Sequence, residues 1–202
     1  MPKKYFEYRG VSHAVFAEVT KDDSTGITFG NVKDFTGVSE IGKTTESSSE
    51  THYYDNIPAI IVDSVGSDKL SINASGIPFD VLAEVTGQFY DKNLGMYVEQ
   101  EGTPKYFAFG YVTDKTDGTQ VFVWRRKGKF SIPDLNAATK DDGTTANGQS
   151  LTFTGISTTK KFTKTGKGAK AVNVDTSVNT GMTEELFFAE VLTPDTVTAP
   201  AA

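Results

Sequence analysis

Short runs in which apolar and polar residues alternate, broken every few residues by Gly or Asp, dominate this chain and confine it to β-sheet. In Val11–Thr20 (VSHAVFAEVT) Val11, His13, Val15, Ala17 and Val19 fall on one side with Ala14 and Phe16 opposite, so both faces of that strand are expected to be covered. Pro104–Asp114 (PKYFAFGYVTD) sets Phe107, Phe109 and Tyr111 against Tyr106, Ala108 and Gly110. In Thr119–Asp134 (TQVFVWRRKGKFSIPD), Val121, Val123 and Arg125 alternate with Phe122, Trp124 and Arg126. Between these two runs lies KTDG (115–118), whose Asp117-Gly118 suits a tight turn, so the pair reads as a hairpin. Further strands are expected at ITF (27–29), AIIVDS (59–64), SDKLSINASG (67–76), QSLTFTGISTTKKF (149–162) and AKAVNVDTS (169–177). In these, Leu70 with Ile72, Leu151 with Phe153 and Gly155, and Val172 with Val174 share faces.

One internal segment has helical period. IPFDVLAEVTG (77–87) has Pro78 where a first-turn proline is harmless, Phe79, Leu82 and Val85 or Thr86 on one face, and Gly87 as the stop. A helix over about 78–86 of that length needs a sheet to lie on. TGMTEELFFAEVL (180–192) satisfies either period. The class is therefore mainly β with one flanking α-helix, in a single domain over 1–193 with a flexible tail at 194–202.

At 202 residues, 37% hydrophobic and 11% aromatic, the chain can bury one substantial core. A net charge of -6 disfavours a nucleic-acid binder, which needs a basic face for the phosphates. Cysteine is absent, which removes disulfides, thiolate ligands and thiol nucleophiles. No apolar run is long enough to span a bilayer and no leader-like h-region follows the N-terminus, so a protein made in the cytoplasm is expected and the sequon at Asn73–Ser75 is read as chance.

No constellation of side chains points to catalysis, and no cofactor or metal is expected. His13 lies in a strand among small apolar residues, as a structural histidine does. His52 has Glu50, Tyr53, Tyr54, Asp55 and Ser47–Ser49 around it, yet a polar loop supplies such a trio without a nucleophile elbow or oxyanion hole. The carboxylates at 22–23, Asp117 and 141–143 fit Asp-Gly turns and lack the ligand spacing of a calcium loop. The glycines of GQFYDKNLG and KTGKGAK are not at phosphate-cradling spacing. Arg125, Arg126 and Lys127, with Arg125 and Lys127 on one face and Arg126 on the other, are expected to pair with carboxylates of a neighbouring subunit. KKFTKTGKGAK (160–170) reads as a mobile hairpin tip or a docking strip for an acidic neighbour.

The polar stretch TTESSSETHYYDNIP (44–58) builds no core, which leaves a disordered linker, a catalytic loop around His52, or an arm ordered against another subunit. In order along the chain, GVSEIGKTTESSSETHYYDNIPA, LSINASGIPFDVLAEVTGQFYDKNLGMYVE, PKYFAFGYVTDKTDGTQVFVWRRKGKFSIPD and QSLTFTG strongly resemble the major tail protein family of long, non-contractile-tailed bacteriophages. The resemblance runs from Tyr8 to Asn173. It implies a tail-tube-type β-sandwich or barrel with a flanking helix, a long arm or loop over about 39–59, and no enzymatic activity. It also implies hexameric rings, made by continuing sheets between neighbours, that stack in the virion into the conduit for genome ejection. Partners implied are copies of itself, tape-measure, tail-tip and tail-terminator proteins, and passing duplex DNA that is not bound specifically.

On that reading Glu46, Glu50, Tyr53, Tyr54 and Asp55 of the arm join Arg125, Arg126 and Lys127 as subunit-interface residues. Some relatives append an immunoglobulin-like decoration domain, for which the stretch past Pro194 is too short. The competing readings are a monomeric β-sandwich that binds carbohydrate through Tyr53, Tyr54, Phe107 and Trp124, the inner tube of a phage-derived injection device, and a hydrolase centred on His52.

Overall fold

The hairpin expected around Asp117-Gly118 forms the spine of the molecule. A computed structural model describes residues 5–137 and 147–198; the expected turn at 141–143 lies outside them. In chain order the elements are β1 (Tyr8–Asp22), β2 (Ile27–Phe29), β3 (Lys33–Asp34), β4 (Val38–Tyr54), β5 (Ile57–Ala74), α1 (Phe79–Thr86), β6 (Phe89–Asp91) and β7 (Met96–Val98). They continue with β8 (Phe107–Lys115), β9 (Gln120–Phe130), β10 (Asp134–Leu135), β11 (Gln149–Gly155), β12 (Ala171–Asp175) and α2 (Glu184–Phe188). The domain is mainly β with one short flanking helix, α1, and the brief α2 near the C-terminus. No sheet closes into a barrel, and no clear two-sheet sandwich forms among the described residues.

Strands run in the order β2-β1-β8-β9-β11-β5-β4, all antiparallel, with β12 also on β9, β10 on β11 and β3 on β1. β9 is the junction: β8 holds one edge, while the other is shared by β12 at Val121–Arg125 and β11 at Gly128–Phe130. Period-two alternation then sorts its side chains into two cores. One face gathers Phe16, Phe107, Phe109, Val123, Phe130 and Phe153 with Leu70, Ile72 and the α1 residues Leu82 and Val85. The other gathers Val15, Val112, Phe122 and Trp124 beneath Phe187, Phe188, Val191 and Leu192. Trp124 is wholly buried, and its indole N–H donates to the Phe187 carbonyl at 3.1 Å, so the only tryptophan ties the C-terminal segment to the sheet.

Two β-bulges change the expected faces. β1 carries one extra residue between Ser12 and Val15, with His13 at φ 50°, so Val11 packs with Ala14 and Phe16 and not with Val15 and Ala17. The His13 ring consequently leaves the strand, stacks on Phe188 at 4.8 Å and pairs with Glu184. β9 carries the other, opposite Phe107 and Phe109, which turns Lys127 to the side of Arg126 and away from Arg125. A bulge inserts a residue without breaking the strand, so alternation counted along the sequence slips by one beyond it.

Helix α1 matches its expected span. Gly87 ends it in the left-handed region at φ 74°, its N–H bonded to the Ala83 carbonyl. Phe79, expected on the buried face, is half exposed and stacks on Tyr97 of β7 at 5.3 Å. The β6–β7 ribbon itself has no counterpart among the expected strands. Within 180–192 the helical period wins over Glu184–Phe188, with the Thr183 side chain capping the Leu186 amide. Between 194 and Thr198 the Asp195 carboxylate accepts from the Thr163 and Lys164 amides at 2.9 Å, and the Thr198 carbonyl accepts from Asn179.

Gly110 leaves no room for a side chain, because an added Cβ would lie 2.9 Å from the Trp124 ring and 2.8 Å from that of Phe188. Gly110→Ala is expected to cost about 1–3 kcal/mol through overpacking, and Trp124→Ala about 3–5 kcal/mol through the cavity it opens. Urea unfolding followed by circular dichroism measures both.

Candidate functional site

The stretch 44–58 is neither linker nor loop. β4 and β5 pair along nearly their whole length, from Val38 opposite Ala74 to Tyr54 opposite Ile57, in one long hairpin. Its arm therefore reaches beyond the expected 39–59 and takes in the first half of β5. Asp55 and Asn56 close it with φ of 52° and 63°, the two left-handed residues that a tight two-residue hairpin turn demands and that Asp and Asn tolerate better than most.

The hairpin has two regimes. From Asp68 to Ala74, β5 is sandwiched between β4 and β11, and Leu70, Ile72 and Ala74 are buried while their neighbours are exposed. From Ile57 to Ser67 nothing among the described residues pairs with the edge of β5 away from β4, and almost every side chain is exposed on both faces. At about 3.3 Å per residue the stretch Ser47–Tyr54 extends about 25 Å past the root. Tyr53, Tyr54, Ile57, Ile60, Ile61 and Val65 are each half exposed or more, a density of exposed apolar residues found nowhere else among the described residues. Register divides them: His52 lies opposite Ile60 and Glu50 opposite Val62 on one face, Thr51 opposite Ile61 and Ser47 opposite Val65 on the other. Away from the tip, where Tyr53 and Tyr54 lie on β4, the apolar residues of both faces come from β5, which also carries Asp63, and β4 supplies polar ones.

The root is an ionic clamp. The Asp68 carboxylate is buried and meets three cations: Lys170 at 3.1 Å, Arg125 at 3.3 Å and Lys43 at 3.8 Å. Arg125 also reaches the Tyr111 hydroxyl at 3.5 Å, and Lys170 donates to the Gly66 carbonyl as well. Burial pushes the Asp68 carboxyl up, but hydrogen bonds from Lys170 and Thr45 with the Lys43 and Lys170 charges outweigh it and hold the group below its ordinary value.

The structure gives the interface candidates two fates. Glu46, Glu50, Tyr53, Tyr54 and Asp55 lie on the hairpin and are exposed, Glu46 pairing across it with Lys69 at 2.7 Å. Arg125, Arg126 and Lys127 are spent inside the subunit, and the carboxylates they meet belong to the same chain. Lys127 pairs with Asp22 at 2.7 Å. Arg126 is completely buried, lies 5.1 and 4.9 Å from the Phe29 and Phe162 rings, and donates to the Leu192 carbonyl. Burial lowers its pKa to about 10 against the opposing pull of Asp22, so it keeps its charge at neutral pH. Sequence reasoning missed Asp68 and Lys170, whose partnership depends on long-range strand register.

His52 makes no hydrogen bond to Ser47–Ser49 or Asp55, which are strung along β4 and its turn. Among the described residues no cluster of His, Asp or Glu could hold a metal ion, and no helix is long and apolar enough to cross a membrane.

Asp68→Asn leaves three cations without their anion and is expected to cost about 3 kcal/mol, within the range for breaking a buried pair. Amide exchange should accelerate first at 43–47 and 65–70. Because the folded pKa is depressed, the clamp's contribution is full above the unfolded value near pH 4 and is lost as pH falls through the folded one. Acid titration of the wild type should therefore show a stability loss that Asp68→Asn lacks. Compared with known proteins, the chain matches no family model, and no curated protein matches it.

Proposed function

We propose that the chain is the structural subunit of a bacteriophage tail tube, forming hexameric rings that stack into the conduit through which the genome leaves the virion. The observation that carries this reading is the projecting hairpin. An unpaired β5 edge flanked by Ile57, Ile60, Ile61 and Val65 is an aggregation hazard on a protein that works alone, and a joint on one that works as a polymer. The ordered series of sequence segments resembling the tail-tube family supports it independently. Closure of the sheet into the sandwich or barrel of that family is part of the same proposal, with neighbours extending the edge strands.

Charge is consistent with a conduit. At net -6 the subunit repels phosphate, and a wall of that sign lets duplex DNA slide without sticking. Tape-measure, tip and terminator proteins are the partners this role implies, and a phage-derived injection device uses the same subunit chemistry. The carbohydrate-binding reading loses its platform: Phe107 and Trp124 are wholly buried, and Tyr53 and Tyr54, adjacent in β4, point to opposite faces of the hairpin.

Negative-stain microscopy and sedimentation over a concentration series test the proposal, with rings or hollow tubes of uniform width expected. Replacing 47–65 by an Asn-Gly turn should leave the circular dichroism of the body intact and abolish assembly. A truncated chain that still forms tubes would remove the hairpin from the mechanism, and a full chain monomeric throughout, even with tail-tip components added, would remove the function.

A further inference from the structure

The hairpin and the 160–170 loop carry opposite, unspent charge. From Thr44 to Ser67 there is no Lys or Arg, while Glu46, Glu50, Asp55 and Asp63 are all acidic. Glu46 is used by Lys69, but Glu50, Asp55 and Asp63 form no ion pair among the described residues. The loop from Lys160 to Lys170 contains five lysines and no acid. Lys161, Lys164 and Lys167 are exposed, and they too form no ion pair among the described residues.

This loop is a built platform. Phe162 is buried, its carbonyl accepts from the Thr165 and Gly166 amides, and its own amide donates to the Lys167 carbonyl. The Asp195 carboxylate fixes the Thr163 and Lys164 amides, so the nearest acid already has its donors. The three ammonium groups are therefore displayed from a held backbone, with that of Lys164 also donating to the Val197 carbonyl at 2.9 Å. Lys170, at the end of the loop, is anchored at the hairpin root, whereas the unpaired carboxylates lie outward along an arm that leads away from it.

We infer that the acidic, apolar outer half of the hairpin docks on the Lys161–Lys167 platform of a second copy of this chain. The inference rests on the self-assembly proposed above and names its partner surface. A second copy fits because each subunit carries both halves, so the contact is head-to-tail and propagates into rings or stacks. Duplex DNA would satisfy the lysines but not Ile60, Ile61 and Val65, and the net charge of the chain opposes it. The β5 side chains supply the apolar area, while the rim charges set register and encounter rate.

The test uses two full-length variants. Lys161→Glu/Lys164→Glu/Lys167→Glu has an acidic arm and an acidic platform, and Glu50→Lys/Asp55→Lys/Asp63→Lys has a basic arm and a basic platform. Each alone should assemble at least about tenfold more weakly than wild type, as expected for several like-charge contacts. Mixed in equal amounts, they should co-assemble, and wild-type assembly should slow as salt is raised. Sedimentation and microscopy read the outcome, with circular dichroism confirming that each variant is folded. If wild type assembles and each variant alone does so equally well, the contact is overturned while the tail-tube reading stands. If wild type and mixture both stay monomeric with tail-tip components present, both are overturned. If the platform instead binds duplex DNA and arm reversal leaves assembly untouched, the lysines serve nucleic acid and the contact is overturned.

Discussion

Every strand has two edges, and the architecture follows from how β9 disposes of its own. One is taken by β8, and the other is divided between β12 and β11. The division brings the C-terminal third onto the same strand as the central hairpin, so two cores grow back to back on the two sides of one backbone. A bulge makes this workable. By turning Lys127 to the side of Arg126 it lets Asp22 neutralise that side, where the Lys127 ammonium and the Thr159 and Lys160 amides hold the Asp22 carboxyl below its ordinary value against its burial. Arg125, left alone on the opposite face, is free to meet Asp68.

β5 shows how one continuous strand serves two environments. Its inner half lies between two neighbours and alternates buried with exposed, and its outer half has a single neighbour and no covered face. A two-stranded ribbon is marginal in water without further packing, so the outer half depends on what fixes the inner one. Asp68 stands at the boundary, and the register slips just there, between Thr45 and Ser47. One carboxylate with three cations is an unequal cluster, strong enough to hold a root yet leaving positive potential beside it.

What could be read from the sequence was whatever burial imprints on it. β8, β9, β11, β12 and α1 are buried on at least one face, and their periodicity placed them and, apart from Phe79 and Lys127, their faces. β4 was not legible as a strand because neither face of its outer half is covered. Without a covered face nothing selects alternation, and TTESSSETH resembles a loop. The signal available was Asp55-Asn56 between β-prone THYY and IPAIIV, a turn that implies two strands. The bulges at His13 and Arg126–Lys127 were illegible for another reason, since an inserted residue leaves composition unchanged and only shifts phase. That phase shift misplaced Val11 and Lys127, while the burial of Arg125 and Arg126 was illegible because basic residues signal surface unless a buried acid or aromatic cage receives them. Here the cage is Phe29 and Phe162, far away in the chain.

The unequal chemistry of the hairpin's two strands decides how it can be used. Two open edges on one ribbon would ordinarily permit pairing on either side and in several registers, the usual route from self-assembly to aggregation. β4 carries Glu46, Glu50 and a run of serines, small and charged groups that give an incoming strand little apolar area and considerable repulsion. β5 carries Ile, Val and Pro, with Pro58 withholding one backbone donor near the tip, so register there is further restricted. Of the two edges, β5 offers an incoming strand the larger apolar area. In the assembly proposed above, a ribbon built this way meets its partner from one side, and that asymmetry gives the repeated subunits a common direction.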